Sequence, residues 1–243
     1  MNEKQTSEDR QDLTRAVALI PIRSKSKGIP NKNIHKIAGK PLVTWTIEHC
    51  LASEKIDRVI VSTDSEAYAD IARQAGAEVP FLRPDDISND TSSTEAVMLH
   101  LDDYLSGEGY DYDAMVLAQA TSPVRRPGLV DDCIARWETT GADSLLTVAL
   151  NESFFWRRGP ACMEAAYDHM NRPRRQDIAP ENVLFRETGS LYVTARHILQ
   201  TMKNRLGGKI EAMKTSKLES FEIDDLDDWQ IIEAILQEKK IWR

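Results

Sequence analysis

The sequence lacks the features that mark secreted, metal-binding and membrane proteins. It has three cysteines, Cys50, Cys133 and Cys162, an odd number at wide spacing. Such spacing fits no metal-ligand motif, and so few thiols are typical of a reducing compartment. No apolar run is long enough to cross a bilayer, and the polar N-terminus has no signal-peptide core. We therefore expect a cytoplasmic protein with no membrane partner.

An excess of positive charge is also absent. Lys and Arg number 31 against 39 Asp and Glu, a formal net charge of −8. Domains that bind nucleic acid are usually basic, so this balance argues against a nucleic-acid partner. Any dense basic segment is therefore a local feature of a chain whose overall charge is negative.

The chain has 243 residues, of which 41% are hydrophobic, and this is enough for one large domain. Residues 1–14 are polar and are predicted to form a disordered tail, which leaves 15–243 for the domain. Short apolar strands alternate with amphipathic helices along most of that length. The predicted strands are Ala16–Ile22, Arg58–Ser62, Val79–Leu82, Ala114–Ala118, Ser144–Leu150, Gly189–Thr194 and Ser220–Ile223. This alternation predicts an α/β fold, with a mostly parallel sheet and helices on both faces.

The alternation stops in residues 151–187, here called the excursion. It contains Trp156, three prolines and several arginines, with little periodicity. A segment this long is unusual as a plain loop in a compact domain. We interpret it as a functional excursion or a dimerisation arm.

A cluster of cations follows the first predicted strand. Residues 23–33 include Arg23, Lys27 and Lys32, together with Gly28, which allows close backbone approach. Ligands of open α/β sheets bind beyond the carboxyl ends of the strands, and these cations suit a nucleoside triphosphate. The loop matches neither the Walker A motif nor GxGxxG. The alternative is a solvated basic loop.

Three further segments carry candidate binding chemistry. Gln119–Pro123 ends a predicted strand with an amide and two hydroxyls, which suit a sugar hydroxyl or acylamino group as well as an ordinary Ser-Pro turn. Arg172–Asp177 places three arginines in four positions, as in a second anion site or a surface patch. Residues 83–94 form a polar loop with groups able to contact a base and a ribose.

Acidic residues precede the last predicted helix. In an extended segment Glu222 and Asp224 point to the same face, where they could hold Mg²⁺ against phosphate oxygens. The alternative is a helix-entry turn. Asp227 and Asp228 are expected to cap the helix and to occupy its first turn.

In their order and spacing these segments resemble the CMP-N-acylneuraminate synthetases, cytidylyltransferases that activate sialic acid. The similarity runs from about Val17 to the C-terminus and rests on R-S-K-S-K-G-I-P-N-K-N, V-S-T-D, D-T-S-S-T, Q-A-T-S-P, R-P-R-R-Q-D, G-S-L-Y and E-I-D. It implies a Rossmann-like fold and a homodimer in which the excursion reaches the partner subunit. The implied reaction transfers CMP from CTP to the anomeric hydroxyl of a nonulosonic acid and releases pyrophosphate.

The resemblance also implies roles for individual residues. On the nucleotide, Arg23, Lys32 and Asn33 hold the phosphates, Arg83 and Ser92 lie at the cytosine, and Thr94 lies at the ribose. On the sugar acid, the implied contacts are Gln119, Arg175, Gln176 and Tyr192. The implied catalytic residues are Arg174, Arg175 and Asp224, and the implied Mg²⁺ ligands are Glu222 and Asp224.

Several alternatives stay open. Glu222 stands where the family usually has Asp, and Thr188 where it often has Asn. The acid could be KDN, legionaminate, pseudaminate or Kdo, or the chain could be an inactive nucleotide-binding domain. The general base also stays open: the family resemblance implies an arginine, but a guanidinium loses its proton only above about pH 12, so we prefer Asp224 or a water on the metal.

Overall fold

A six-stranded sheet forms the centre of the computed structural model, which describes residues 14–24 and 28–238 apart from the side chain of Arg175. The strands are β1 (Ala16–Pro21), β2 (Lys36–Ile37), β3 (Lys40–Pro41), β4 (Ile56–Ser62), β5 (Ala114–Ala118), β6 (Ser144–Leu150), β7 (Trp156–Arg158), β8 (Met163–Ala165), β9 (Phe185–Ala195) and β10 (Ile210–Thr215). The helices are α1 (Leu42–Leu51), α2 (Glu66–Gln74), α3 (Thr94–Gly107), α4 (Leu129–Thr140), α5 (Arg196–Met202) and α6 (Leu226–Gln237). Among the described residues, no helix is long and apolar enough to cross a membrane.

The strand order in the sheet is β10-β6-β9-β5-β1-β4. Strand β1 pairs in parallel with β4 and β5, and β6 pairs in parallel with β10. Strand β9 lies antiparallel between β5 and β6. The predicted mostly parallel α/β sheet is therefore confirmed, with one antiparallel strand in its interior.

Helices cover both faces of the sheet, as predicted. Alternate residues of a strand face opposite sides, so β1 sends Ala16, Ala18 and Ile20 into one buried cluster and Val17 and Leu19 into another. The first cluster includes residues of α1, α2 and α4, and the second includes residues of α3 and α5. Burial on both faces explains why these strands read as continuous apolar runs.

Three expectations about strands were wrong or incomplete. Within Val79–Leu82 the structure has one isolated bridge, from Leu82 to Thr63, and the predicted Ser220–Ile223 strand is absent, because Ser220 ends a short 3-10 turn (Leu218–Ser220). The predicted Gly189–Thr194 is the second half of the 11-residue strand β9. Strand β10 was missed because it is a partly exposed edge strand whose charged residues interrupt its apolar pattern.

The excursion leaves the sheet after β6 and returns in β9. It contains the β7–β8 hairpin and two short 3-10 turns. Exposed large apolar side chains are concentrated in and next to it: Leu150, Phe155, Trp156, Met163, Met170, Leu184 and Phe185. Of the predicted N-terminal tail, residues 1–13 lie outside the described part of the chain.

A buried arginine joins three elements near the end of β5. The side chain of Arg125 is 0% exposed. Its guanidinium donates to Ser190 Oγ (2.9 Å), Thr46 Oγ1 (2.8 Å), the Gln119 carbonyl (2.7 Å) and the Ser190 carbonyl (3.0 Å). Burial lowers the pKa of Arg125 to about 10, so it still carries a charge at neutral pH. The four hydrogen bonds compensate the loss of water around this cation.

We predict that Arg125→Met lowers the free energy of unfolding by at least about 3 kcal/mol, because it leaves several buried acceptors without a donor. Arg125→Lys should fall between this variant and the wild type. The control is the adjacent Arg126→Met, which removes an exposed pair with Asp132 and should cost under about 1 kcal/mol. Urea unfolding gives all three values. Equal losses for Arg125→Met and Arg126→Met would contradict the prediction.

Candidate active site

A cavity of about 370 Å³ lies at the carboxyl ends of β1 and β5. Its wall includes the following residues that the sequence singled out: Arg23, Lys32, Asn33, Arg83, Ser92, Thr94, Gln119 and Asp224. Four separate stretches of the chain therefore meet at one place, the edge where open α/β sheets bind ligands.

The basic loop is anchored to the neighbouring strand by Asp64. The Ser24 amide and hydroxyl donate to the two oxygens of Asp64, at 2.8 and 2.7 Å. Tyr68 donates to the Ser24 carbonyl (3.3 Å) and to Asn31 Oδ1 (3.0 Å). This anchoring by Asp64 was not predicted from the sequence. The signal in the sequence is its position directly after β4, next to β1 in the sheet.

Three cations line the cavity in the described part of the chain: Arg23, Lys32 and Arg83. Arg83 is 6% exposed and donates to the Ile22 carbonyl at 3.2 Å, and burial lowers its pKa. Arg23 pairs with Asp90 at 2.7 Å. Because these cations converge on one partly enclosed space, the cavity suits a polyanion.

Lys32 connects the basic loop (residues 23–33) to the acidic segment (residues 222–224). Its Nζ donates to the Ile223 carbonyl at 2.5 Å and lies 3.9 Å from Asp224 Oδ1. Burial lowers the pKa of Lys32, although the charges of Asp224 and Glu222 oppose that change. Cations after the first strand and acids before the last helix thus share one cleft.

Thr121 of the Q-A-T-S-P motif fixes the position of the acidic segment. Its hydroxyl donates to Glu222 Oε1 at 2.9 Å, and its carbonyl accepts from the Ile223 amide at 2.8 Å. Burial raises the pKa of Glu222, and the nearby charge of Asp224 adds to the rise. This anchoring function of Thr121 was not predicted.

The other acids belong to the start of α6. Asp225 is its N-cap and accepts from the amides of Asp227 and Asp228. The carboxylate of Asp228 accepts from the Asp224 and Asp225 amides, which completes a capping box. The cap is therefore Asp225, whereas Asp227 and Asp228 occupy the first turn.

Gly28 allows the basic loop to approach the acidic segment. A Cβ atom at this position would lie 2.3 Å from the backbone oxygen of Asp224. A main-chain oxygen cannot move aside as the end of a side chain can. Any side chain at position 28 therefore forces the two segments apart.

On the predicted sugar side, the structure places Gln119 in the cavity wall and Tyr192 behind it. Tyr192 is 2% exposed, packs in the buried cluster that contains the cavity residue Val97, and donates its hydroxyl to Glu187. Thr188 is buried and hydrogen-bonded to Thr147 Oγ1 at 2.7 Å. The short side chain at 188 thus contacts Thr147.

Of the predicted residues of the excursion, the two whose side chains the structure describes, Arg174 and Gln176, do not line this cavity. Arg174 and Gln176 are exposed, and Arg174 Nε lies 2.6 Å from Asp177 Oδ2. Arg175 begins a short 3-10 turn, and its side chain lies outside the described part of the structure.

The acidic segment fits a divalent cation that is shared with phosphate. Within the described residues, no group of three His, Cys, Asp or Glu side chains could hold a metal ion. Mg²⁺ is commonly bound by one or two carboxylates together with substrate phosphates. Glu222 and Asp224, beside the cationic cavity, provide that type of donor set.

The sheet topology and the cationic cavity at its carboxyl edge define an α/β nucleotide-binding protein. More specifically, the chain belongs to the cytidylyltransferase family, whose model (Cytidylyltransferase) matches residues 17–152. The family resemblance inferred from the sequence is therefore confirmed.

Individual relatives agree with this assignment. CMP-N,N'-diacetyllegionaminic acid synthase of Legionella pneumophila is 30% identical over 227 residues, covering 92% of this chain and 97% of that protein. N-acylneuraminate cytidylyltransferase A of Danio rerio is 32% identical over 233 residues, covering 94% of this chain but 52% of the fish protein. The chain thus spans about half the length of the fish relative.

A solved structure shows the same fold. CMP:2-keto-3-deoxy-manno-octonic acid synthetase, complexed with CTP, superposes with a TM-score of 0.69 at 16% sequence identity. The match covers 93% of this chain and 100% of that one. At this identity the similarity concerns the fold.

We predict that Gly28→Ala weakens CTP binding at least about tenfold, or 1.4 kcal/mol, because it separates Asp224 from the basic loop. Titration calorimetry measures the affinity. The control is Gly107→Ala at the end of α3, where an added Cβ meets nothing within 4 Å and affinity should not change. Wild-type affinity in Gly28→Ala would show that the close approach is unimportant.

Proposed function

We propose that the protein transfers CMP from CTP to the anomeric hydroxyl of a nonulosonic acid, with release of pyrophosphate. The convergence of Lys32 and Asp224, 3.9 Å apart in one cavity, carries this proposal. The cytidylyltransferase family and the names of the Legionella and fish relatives support it.

In this proposal the triphosphate occupies the cationic part of the cavity. Arg23 and Lys32 neutralise the phosphates, and Asn33 lies beside them, with its Nδ2 donating to the Arg23 carbonyl at 3.3 Å. Arg83 and Ser92 lie where the cytosine would bind, and Thr94 lies where the ribose would bind. The N-cap of α3, Ser93, fixes this side of the cavity by accepting from the Ala96 amide.

Glu222 and Asp224 are the proposed Mg²⁺ ligands. Bound there, Mg²⁺ would supply positive charge against the phosphates and the departing pyrophosphate. Thr121 orients Glu222 before any ligand enters, and Lys32 lies beside Asp224 in the cavity wall. This preorganisation limits the rearrangement needed at the moment of reaction.

The proposed reaction is a single in-line displacement. The anomeric oxygen bonds to the α-phosphorus, the bond from that phosphorus to the bridging oxygen of pyrophosphate breaks, and the hydroxyl proton leaves. Asp224, a carboxylate in the cavity wall, is the proposed acceptor of that proton. Most of the acceleration then comes from positioning and charge neutralisation, since the protein forms no covalent bond.

Gln119 and Tyr192 are the proposed sugar contacts of this chain. The Gln119 amide both donates and accepts, which suits a hydroxyl or an acylamino group. Arg174, Arg175 and Gln176 are proposed to hold the sugar carboxylate and the reacting phosphate from the excursion.

We also place the reaction in the cytoplasm, which agrees with the free thiols of Cys50, Cys133 and Cys162.

Pyrophosphate release with CTP and a panel of acids tests the assignment. The panel is N-acetylneuraminate, KDN, legionaminate, pseudaminate and Kdo. We expect turnover with at least one nonulosonic acid, and that acid identifies the substrate. CTP binding without pyrophosphate release from any acid would show a nucleotide-binding module instead.

We predict that Asp224→Asn lowers turnover at least about a hundredfold while CTP binding stays measurable, because charge stabilisation and the proton acceptor are lost together. The control Asp227→Asn removes the same charge in the first turn of α6. Asp227 contributes its amide, not its carboxylate, to the described capping box, so turnover should stay within about twofold. The two variants differ if the site is correctly assigned, and similar rates would refute it.

We propose that two copies associate through the excursion. Phe155 and Leu184, 54% and 62% exposed, belong to its concentration of apolar side chains. Both border an apolar hollow of about 290 Å³ on the same segment. Burial of such a surface against a second copy would remove it from water and bring a second excursion to the site.

We predict that Phe155→Glu combined with Leu184→Glu yields monomers in sedimentation equilibrium, because charges would enter an apolar contact. The control Ile231→Glu places a charge at an exposed position on α6, which is 45% exposed, and should leave the assembly unchanged. A monomeric wild type, or a dimer that persists in the double variant, would contradict the proposal.

A further inference from the structure

An ion pair outside the cavity joins its nucleotide side to its sugar side. Arg205, between α5 and β10, lies with its Nε 2.5 Å from Glu95 Oε1 in the first turn of α3. The two side chains are only 20% and 19% exposed. Glu95 follows Thr94, which lines the cavity. Arg205 therefore contacts the helix turn that carries a proposed ribose ligand.

The same guanidinium lies against the proposed sugar ligand. The guanidinium carbon of Arg205 is 5.1 Å from the centroid of the Tyr192 ring. The Tyr192 hydroxyl is hydrogen-bonded to Glu187, which lies earlier in the same strand, β9. Arginine is suited to this arrangement, because its planar group stacks on an aromatic ring while its edge pairs with a carboxylate.

The backbone around Arg205 is held in place. Its carbonyl accepts from Thr194 Oγ1 at 2.7 Å, on the strand that also carries Tyr192. Two residues on, Gly207 exchanges hydrogen bonds with Ser144 Oγ, donating its amide (3.0 Å) and accepting at its carbonyl (2.8 Å). Arg205 is thus presented from a fixed loop, so its head group has a defined position.

We propose that Arg205 is a positioning residue that sets Tyr192 and the first turn of α3 relative to each other. It stands outside the cavity wall and touches neither proposed substrate. The inference rests on the proposed function, because it assigns Glu95 and α3 to the CTP side of the cavity and Tyr192 to the sugar side. Its charge pairs with Glu95 of α3, and its planar guanidinium lies over the Tyr192 ring.

The test separates charge from shape. Arg205→Met removes both and should raise the KM for the sugar acid about tenfold and weaken CTP binding about threefold. Arg205→Lys keeps a cation for Glu95 but has no planar group to stack. It should therefore restore CTP affinity to within about twofold of wild type while the sugar KM stays raised. The control Arg73→Met breaks a surface pair on α2 and should change neither.

Calorimetry with CTP alone and pyrophosphate-release kinetics give the two values. If Arg205→Lys restores both substrates equally, or if Arg205→Met leaves both unchanged, the proposal is wrong. If Arg205 only stabilised the fold, Arg205→Met would lower the fraction of active protein and leave KM unchanged. That result would also overturn the proposal. Hydrogen exchange needs no turnover: Arg205→Met should accelerate exchange in peptides covering 94–98 and 188–193 together. A wild type inactive with every acid would refute the proposed function, while this exchange result would still decide the coupling.

Discussion

The site depends on one buried cation. Arg125 binds the carbonyl of Gln119 at the end of β5, the main chain and hydroxyl of Ser190 in β9, and the Thr46 hydroxyl in α1. A guanidinium can do this because it offers five donors in a fixed plane and keeps its proton when buried. The peptide held at Gln119 leads directly to Thr121, which orients the acidic segment. The hydrogen bonds of the buried Arg125 thus help to determine where Gln119 and Thr121 lie at the cavity.

Two of the three cavity cations in the described residues lie beside carboxylates, in a chain whose net charge is negative. Arg23 pairs with Asp90, and Lys32 lies close to Asp224. Such pairing keeps long side chains in place at a partly exposed site, where each ion pair alone contributes little stability. An incoming polyanion then exchanges one set of negative partners for another. Binding of this kind should weaken as salt concentration rises, because exposed charges are screened.

Much of the fold and part of the site could be predicted from local patterns. Buried parallel strands appear as short apolar runs, and cations directly after such a run fall at the binding edge of the sheet. Strand β10 was missed because its charged residues interrupt any such run. Asp64, Arg125 and Thr121 were missed because each binds a residue 40 or more positions away, and no local pattern shows those contacts. The antiparallel direction of β9 was not predicted either. It depends on how the chain returns from the excursion, and the residues of β9 do not show that.

The two ends of the excursion are neighbours in the sheet. Leu150, the last residue of β6, pairs with Phe185, the first residue of β9. The intervening chain is therefore a closed loop on a ladder that is already formed. Each doubling of such a loop costs only about 0.6 kcal/mol in closure entropy. Its length and outer surface are consequently free to diverge among related chains, so that a new subunit contact can arise without any change in the register of the central strands.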